Sequence, residues 1–335
     1  MLKLSRSFFS NFLASRLGSL TPGHALFPLY HLTPDCNLHC SYCEGFSEKE
    51  LPPASRKLNP AEIRKLLEIV RRRFSIIFFT GGEPLILGGI EDIFRHAREL
   101  GYRHISVNTN MLLFHEHTGI LPHLDHIVAS LDSLSPEIND RIVGRVGATE
   151  QIVRNLLLCS SLREKHNFAL TVHCVASPGL LAEAEKVLDF CLENRIHFCF
   201  SPRQKDYQPD PGLFGDREYR EFISRLIRAK RKTGLISGGY QFYENIRDFT
   251  AFRCYPWLIP RIFPNGDLIF PCRPRGRAVG NLLESGSWEV LERRARAGPG
   301  RDFSCDRSCR IRCYIEPSLF APHPLRTFRE FVFHR

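Results

Sequence analysis

The sequence predicts an α/β fold, a partial (β/α)6 barrel of TIM-like design, followed by a small C-terminal module built around a hairpin. Three observations predict it. From residue 26, short β-rich runs alternate with amphipathic stretches of helical period. Residues able to do chemistry recur just after the ends of those runs. Beyond residue 202 the alternation stops, and cysteines gather around an Asn-Gly turn. At 335 residues, 43% hydrophobic and 24% charged, the chain can bury a large core and is not a disordered one.

Leu26–Leu32 reads as a strand and leads into a cysteine loop. Ala61–Arg72 is helical, with Ile63, Leu66, Leu67 and Val70 on one stripe, and Ser75–Phe79 is a strand ending in Gly81-Gly82-Glu83-Pro84. The helix Ile90–Leu100 precedes the strand His104–Val107 and then Asn108. The strand His126–Leu131, the helix Thr149–Lys165, the strand Phe168–Val175, the helix Leu181–Asn194 and the strand Ile196–Phe200 follow. Six strands in β-then-α order imply a parallel sheet with helices on its outer face, curled by right-handed crossovers into an open barrel. Cys36–Cys43, Gly81–Pro84, Asn108, Asp132 and Ser201 then share the C-terminal edge of that sheet, where such folds build active sites. The divisions predicted are an amphipathic segment 1–25, the barrel 26–202, a helical connection 203–253 containing Tyr219–Lys232, and a cysteine-bearing module 254–335.

Twelve cysteines in a long chain need an account. Cys36, Cys40 and Cys43 fall within eight residues, and Cys254, Cys272, Cys305, Cys309 and Cys313 lie in the last quarter. A disulfide framework belongs to small secreted chains, so clustered thiols here read as metal ligands in a reducing, cytoplasmic setting. Cys159, Cys174, Cys191 and Cys199 stand singly among apolar residues and read as core. His173 is their polar neighbour, placed to line the barrel. The N-terminus is not a signal peptide, because Ser10, Asn11 and Ser15 interrupt its apolar run. Leu4, Phe8, Phe9, Phe12, Leu13 and Leu17 instead mark an amphipathic helix, packed on its own domain or lying peripherally on a membrane. The net charge of +10 is spread along helices, so no nucleic-acid partner is expected from it.

Cys36-Asn-Leu-His-Cys40-Ser-Tyr-Cys43 presents three thiols in a compact loop. Three thiolates hold three irons of a four-iron cluster and leave the fourth iron open, whereas four would close it. A zinc site completed by His39 is the rival reading. The CX3CX2C loop with Tyr42 before its last cysteine resembles the signature of the radical S-adenosylmethionine (SAM) superfamily. Gly81, Gly82, Glu83 and Pro84 match its GGEP motif, and Asn108, Ser130 and Asp132 match positions that contact SAM or substrate, in the expected order. The resemblance implies a SAM-binding [4Fe–4S] cluster on Cys36, Cys40 and Cys43, reductive cleavage of SAM, and a reductant such as flavodoxin or ferredoxin.

The C-terminal cysteines resemble SPASM or twitch modules, a hairpin and tail around an auxiliary four-iron cluster. Asn265-Gly266 between two apolar runs predicts that hairpin over Arg261–Phe270, with Cys254 before it and Cys272 after it. Five cysteines exceed one cluster's four sites but fall short of a full two-cluster SPASM module, so a single auxiliary [4Fe–4S] cluster is expected, with Cys305 or Cys309 spare; structural zinc is again the rival. The Cys254-Tyr-Pro-Trp257 stretch and Ala321-Pro-His-Pro-Leu325 are similar to radical SAM enzymes that adenosylate hopene, which implies an apolar lipid or isoprenoid substrate. The alternatives are a SPASM-type peptide-modifying maturase and, from another class, a non-catalytic zinc or iron–sulfur protein binding nucleic acid.

Overall fold

Alternation of apolar and polar residues along the strands decides how this sheet is built. A computed structural model describes residues 25–43, 57–297, 305 and 309–320. Six strands run parallel in chain order: β1 (Leu29–His31), β2 (Ile76–Thr80), β3 (His104–Thr109), β4 (His126–Ser130), β5 (Ala169–Ala176) and β6 (His197–Pro202). Successive side chains of a strand point to opposite faces. Ile77, Phe79, Ile105, Val107, Ile127 and Val172 share one face and are fully buried with helix residues such as Ile63, Leu67 and Phe94. The Phe79 and Phe94 rings, for example, lie 5.2 Å apart. The opposite face carries His104, His126, His173 and Ser201, so helices cover the outside and polar side chains line the concave inside.

The helices form where capping and period coincide. Pro60–Arg71 starts with Pro at its first position behind Asn59, whose side chain accepts from the Glu62 N–H while Glu62 accepts in return, and it buries Ile63, Leu66, Leu67, Ile69 and Val70. Ile90–Glu99, Ala148–Ser161 and Leu181–Glu193 supply the other long crossovers. Between β3 and β4 the crossover is two 3-10 turns, Phe114–Glu116 and Thr118–His123, with Pro122 inside the second.

The first strand is shorter than predicted: Pro28 has no N–H to donate to a neighbour, and the Leu26 N–H goes to Leu258 at the end of a 3-10 turn. After β6 come a minimal ribbon, β7 (Gln204–Lys205) and β8 (Gln208–Pro209), and the helices Arg217–Thr233 and Tyr240–Asp248. The predicted hairpin is present as β9 (Arg261–Ile262) and β10 (Asp267–Phe270), extended by β11 (Arg277–Asn281). Sequence alone did not show that β9 also pairs in parallel with β1, Leu29 opposite Arg261, so that hairpin and barrel form one nine-stranded sheet. The predicted amphipathic segment 1–25, apart from Ala25, and the stretch 321–325 lie outside the described residues. Among the described residues no helix is long and apolar enough to cross a membrane.

Candidate active site

The cysteine loop leaves β1 and meets the turn after β2 at backbone distance. The Gly82 N–H donates to Thr33 O and the Glu83 N–H to Asp35 O, both at 2.7 Å. A Cβ on Gly81 would lie 2.5 Å from Thr33 O, in a backbone with φ +150°, and one on Gly82 would lie 1.9 Å from Asp35 O. The paired glycines are therefore needed for the two loops to touch. Further along, His39 and Ser41 N–H groups donate to Val143 and Ile142 at the end of the helix Pro136–Val143. Cys36 and Cys43 are exposed on this loop and Cys40 is half-buried. Burial first, then the neighbouring Cys43, pushes the Cys40 thiol up to about 12, and Cys36 is raised mainly by burial. Metal-free, Cys36 and Cys40 resist ionising, and iron is the kind of charge that reverses this.

Glu83 is buried and accepts from Thr109 Oγ1 (2.7 Å), the Leu85 N–H (2.9 Å) and the Asn110 N–H (2.7 Å). Burial raises its pKa to about 7 against the pull of those donors. Its carboxylate thus organises the turn that Pro84 begins. Asp132 binds two partners, the Tyr42 hydroxyl at 2.6 Å and the Val175 N–H at 2.7 Å, and burial raises it to about 6. Asp132 does not cap the helix Pro136–Val143, whose N-cap residue is Ser135. Ser130 stands exposed at the end of β4, and Asn108 is half-buried on β3.

Sequence reading missed Asn110. Two residues beyond Asn108, it sends Nδ2 to Asn37 Oδ1 at 2.7 Å and within 3.9 Å of Cys36 Sγ. An Asn just past the end of a barrel strand was the available signal.

The C-terminal thiols divide unevenly. Cys254, Cys272, Cys305 and Cys309 line one small cavity together with Arg275 and Tyr314, and Cys254 and Cys305 face each other across an antiparallel bridge. Cys313 is absent from that lining, and its sulfur accepts from Arg261 Nη2 at 2.7 Å. Cys313 packs against the same side-chain cluster as Cys254, Cys272 and Cys305 while its sulfur also faces Arg261 on β9. Among the described residues no three His, Cys, Asp or Glu side chains close on one point as a mononuclear zinc site needs. Soft thiols spaced around a shared opening suit iron–sulfur clusters.

Comparison with known proteins points to the same fold. Residues 30–191 match the family model described as the radical SAM superfamily. The chain is 32% identical over 217 residues to a GTP 3',8-cyclase of Aquifex aeolicus, covering 63% of this chain and 64% of that one. It is 26% identical over 166 residues to a probable GTP 3',8-cyclase of Methanococcus aeolicus, covering 48% and 53%, and 30% identical over 179 residues to a GTP 3',8-cyclase of Corynebacterium glutamicum, covering 47% and 48%. The chain spans about half the length of the latter two. Among solved structures, native anSMEcpe with bound AdoMet superposes with a TM-score of 0.62 at 15% identity over 92% of this chain and 99% of that one. Streptococcus suis SuiB bound to precursor peptide SuiA gives 0.58 at 17% over 82% and 67%; these two show the shared fold. Residues 30–191 thus carry a radical SAM domain, of the kind that uses a [4Fe–4S] cluster with S-adenosylmethionine.

Proposed function

We propose that Cys36, Cys40 and Cys43 hold the SAM-binding cluster and that the surrounding loops fix where SAM lies. The observation that carries this is the meeting of three thiols, the glycine turn and Asn110 at the C-terminal edge of one parallel sheet. When bound, the cluster supplies the electron that cleaves SAM to a 5′-deoxyadenosyl radical. Everything else is the work of the chain. Tyr42 and Asp132 hold the loop to the ends of β4 and β5. Glu83 stiffens the glycine turn, whose backbone, with Asn108 and Ser130, faces the space where SAM would lie. Cys254, Cys272, Cys305 and Cys309 are proposed as the ligands of one auxiliary [4Fe–4S] cluster, within a module over 254–335 that follows the barrel 26–202 and the connection 203–253. The electron donor is proposed to be an external flavodoxin or ferredoxin, and the working location the cytoplasm.

The test is anaerobic reconstitution with iron and sulfide followed by a SAM-cleavage assay under dithionite. About eight irons per chain and 5′-deoxyadenosine formation support the proposal. Replacing Cys36, Cys40 and Cys43 together by Ala should remove about four irons and abolish cleavage. Retained cleavage in that variant would sink the ligand assignment.

A further inference from the structure

The two groups of thiols sit in opposite electrostatic surroundings. Around the cavity of Cys254, Cys272, Cys305 and Cys309, each sulfur has a hydrogen-bond donor beside it. The Arg275 guanidinium donates Nη1 to Cys305 Sγ at 3.5 Å, and the Arg275 backbone N–H meets the Cys272 sulfur. The Ile311 N–H meets Cys309, and the Ser318 hydroxyl lies 3.9 Å from Cys254 Sγ. The turn that aims Arg275 at two sulfurs is tightly wound. A Cβ on Gly276 would stand 2.0 Å from Cys272 O and 2.4 Å from Ile269 Cγ2. Arg310 adds a second guanidinium, 1% exposed and 4.8 Å from the centre of the Phe252 ring. It donates Nη2 to Thr250 O at 2.7 Å and lies near enough to Cys309 and Cys254 to feel their charge.

At the barrel's thiols the neighbouring charges have the other sign. Asn110 brings a neutral amide to 3.9 Å from Cys36 Sγ, while the carboxylate of Glu83 bears on Cys36 and that of Asp132 on Cys40. Arg145 reaches this loop at the Asn37 carbonyl, at 3.3 Å, with its side chain exposed to water. A [4Fe–4S] cluster gains one negative charge on reduction, and donors to its sulfurs together with nearby cations stabilise that charge. A buried cation does so more strongly than an exposed one, which water and salt screen. Carboxylates beside a cluster act in the opposite direction.

We propose that Arg310 and Arg275 hold the auxiliary cluster at a higher reduction potential than the SAM-binding cluster, so that an electron from the external donor settles on the auxiliary cluster first. That electron leaves the reduced donor and takes the auxiliary cluster from its oxidised to its singly reduced state, and no bond forms or breaks. Neither arginine is a ligand; each acts through the charge it brings to the sulfurs. The cluster with carboxylate neighbours is then the stronger reductant of the two, which suits the harder task of reducing a sulfonium. The proposal rests on the assignment of Cys254, Cys272, Cys305 and Cys309 to an auxiliary cluster.

The reconstituted holoenzyme is titrated potentiometrically with dithionite and followed by electron paramagnetic resonance. Addition of SAM changes only the signal of the cluster with an open iron, which tells the two apart. The auxiliary signal should appear at the higher potential. Arg310→Met should lower that potential by at least a tenfold change in the ratio of reduced to oxidised cluster, about 59 mV for one electron, with the iron content unchanged. Arg275→Lys, Arg275→Gln and Arg275→Glu, at an exposed position, should lower it progressively in that order. If Arg310→Met sheds iron, the Arg275 series decides alone. An auxiliary potential at or below that of the SAM-binding cluster, or one that stays in place across the Arg275 series, overturns the proposal. The assignment beneath it fails separately. With Cys36, Cys40 and Cys43 replaced by Ala, about four irons should remain, and their absence would show that the C-terminal thiols hold no cluster.

Discussion

The Tyr42 hydroxyl donates to Asp132 Oδ2 at 2.6 Å across 90 residues of sequence. This bond fastens the last turn of the cysteine loop to the end of β4, and the Val175 N–H holds the other carboxylate oxygen. Tyr42→Phe removes the donor and leaves a buried carboxylate with one partner fewer. Urea unfolding of the metal-free protein should show a loss of about 1–3 kcal/mol, and Asp132→Ala a comparable or larger one.

Glu83 gives stability a pH dependence. Its pKa rises from 4.5 unfolded to about 7 folded, chiefly by burial. The folded state therefore holds its proton more tightly, and the contribution is complete below pH 4.5 and lost as pH rises through 7. Glu83→Gln should flatten the stability profile across that window by up to about 3 kcal/mol. Parallel profiles for the two proteins by urea titration would contradict this.

Gly82→Ala places a methyl 1.9 Å from Asp35 O, and backbone must move to admit it. Such a clash costs about 1–3 kcal/mol or more, and iron uptake by the N-terminal site should fall with it. Gly88→Ala is the control, since a Cβ there meets nothing within 4 Å.

The thiol assignment separates by iron content. Cys305→Ser and Cys309→Ser should each lose about four irons per chain on reconstitution. Cys313→Ser should keep the full complement, because its sulfur faces Arg261 and does not line the cavity. Iron loss in Cys313→Ser with retention in Cys305→Ser would reverse the assignment.

Much of this was legible in the sequence, and the limits have physical causes. Strand and helix order could be read because each element carries its own period, as in Ile63, Leu66, Leu67 and Val70. Glycines at 81 and 82 could be read as a tight approach, though not against which backbone. Asn110 was overlooked because its neighbour Asn108 lies inside the strand pattern, and only the three-dimensional end of β3 shows which amide reaches Asn37. Which partner each C-terminal cysteine meets depends on how the helix Arg312–Phe320 sits against β9, a tertiary fact that spacing does not carry. The polar inner face was present in the letters of His126, Thr171, His173 and Ser201, but its meaning needed the knowledge that helices cover the other side.

The pairing of Leu29 with Arg261 has a consequence for anyone who divides this protein. A chain cut before residue 254 would strip β1 of one neighbour and bare a row of backbone donors and acceptors along its flank. Such an edge invites sticking to other chains. The two halves are thus best regarded as one folding unit, and insolubility of the truncated piece would reflect a missing strand partner and not a faulty barrel.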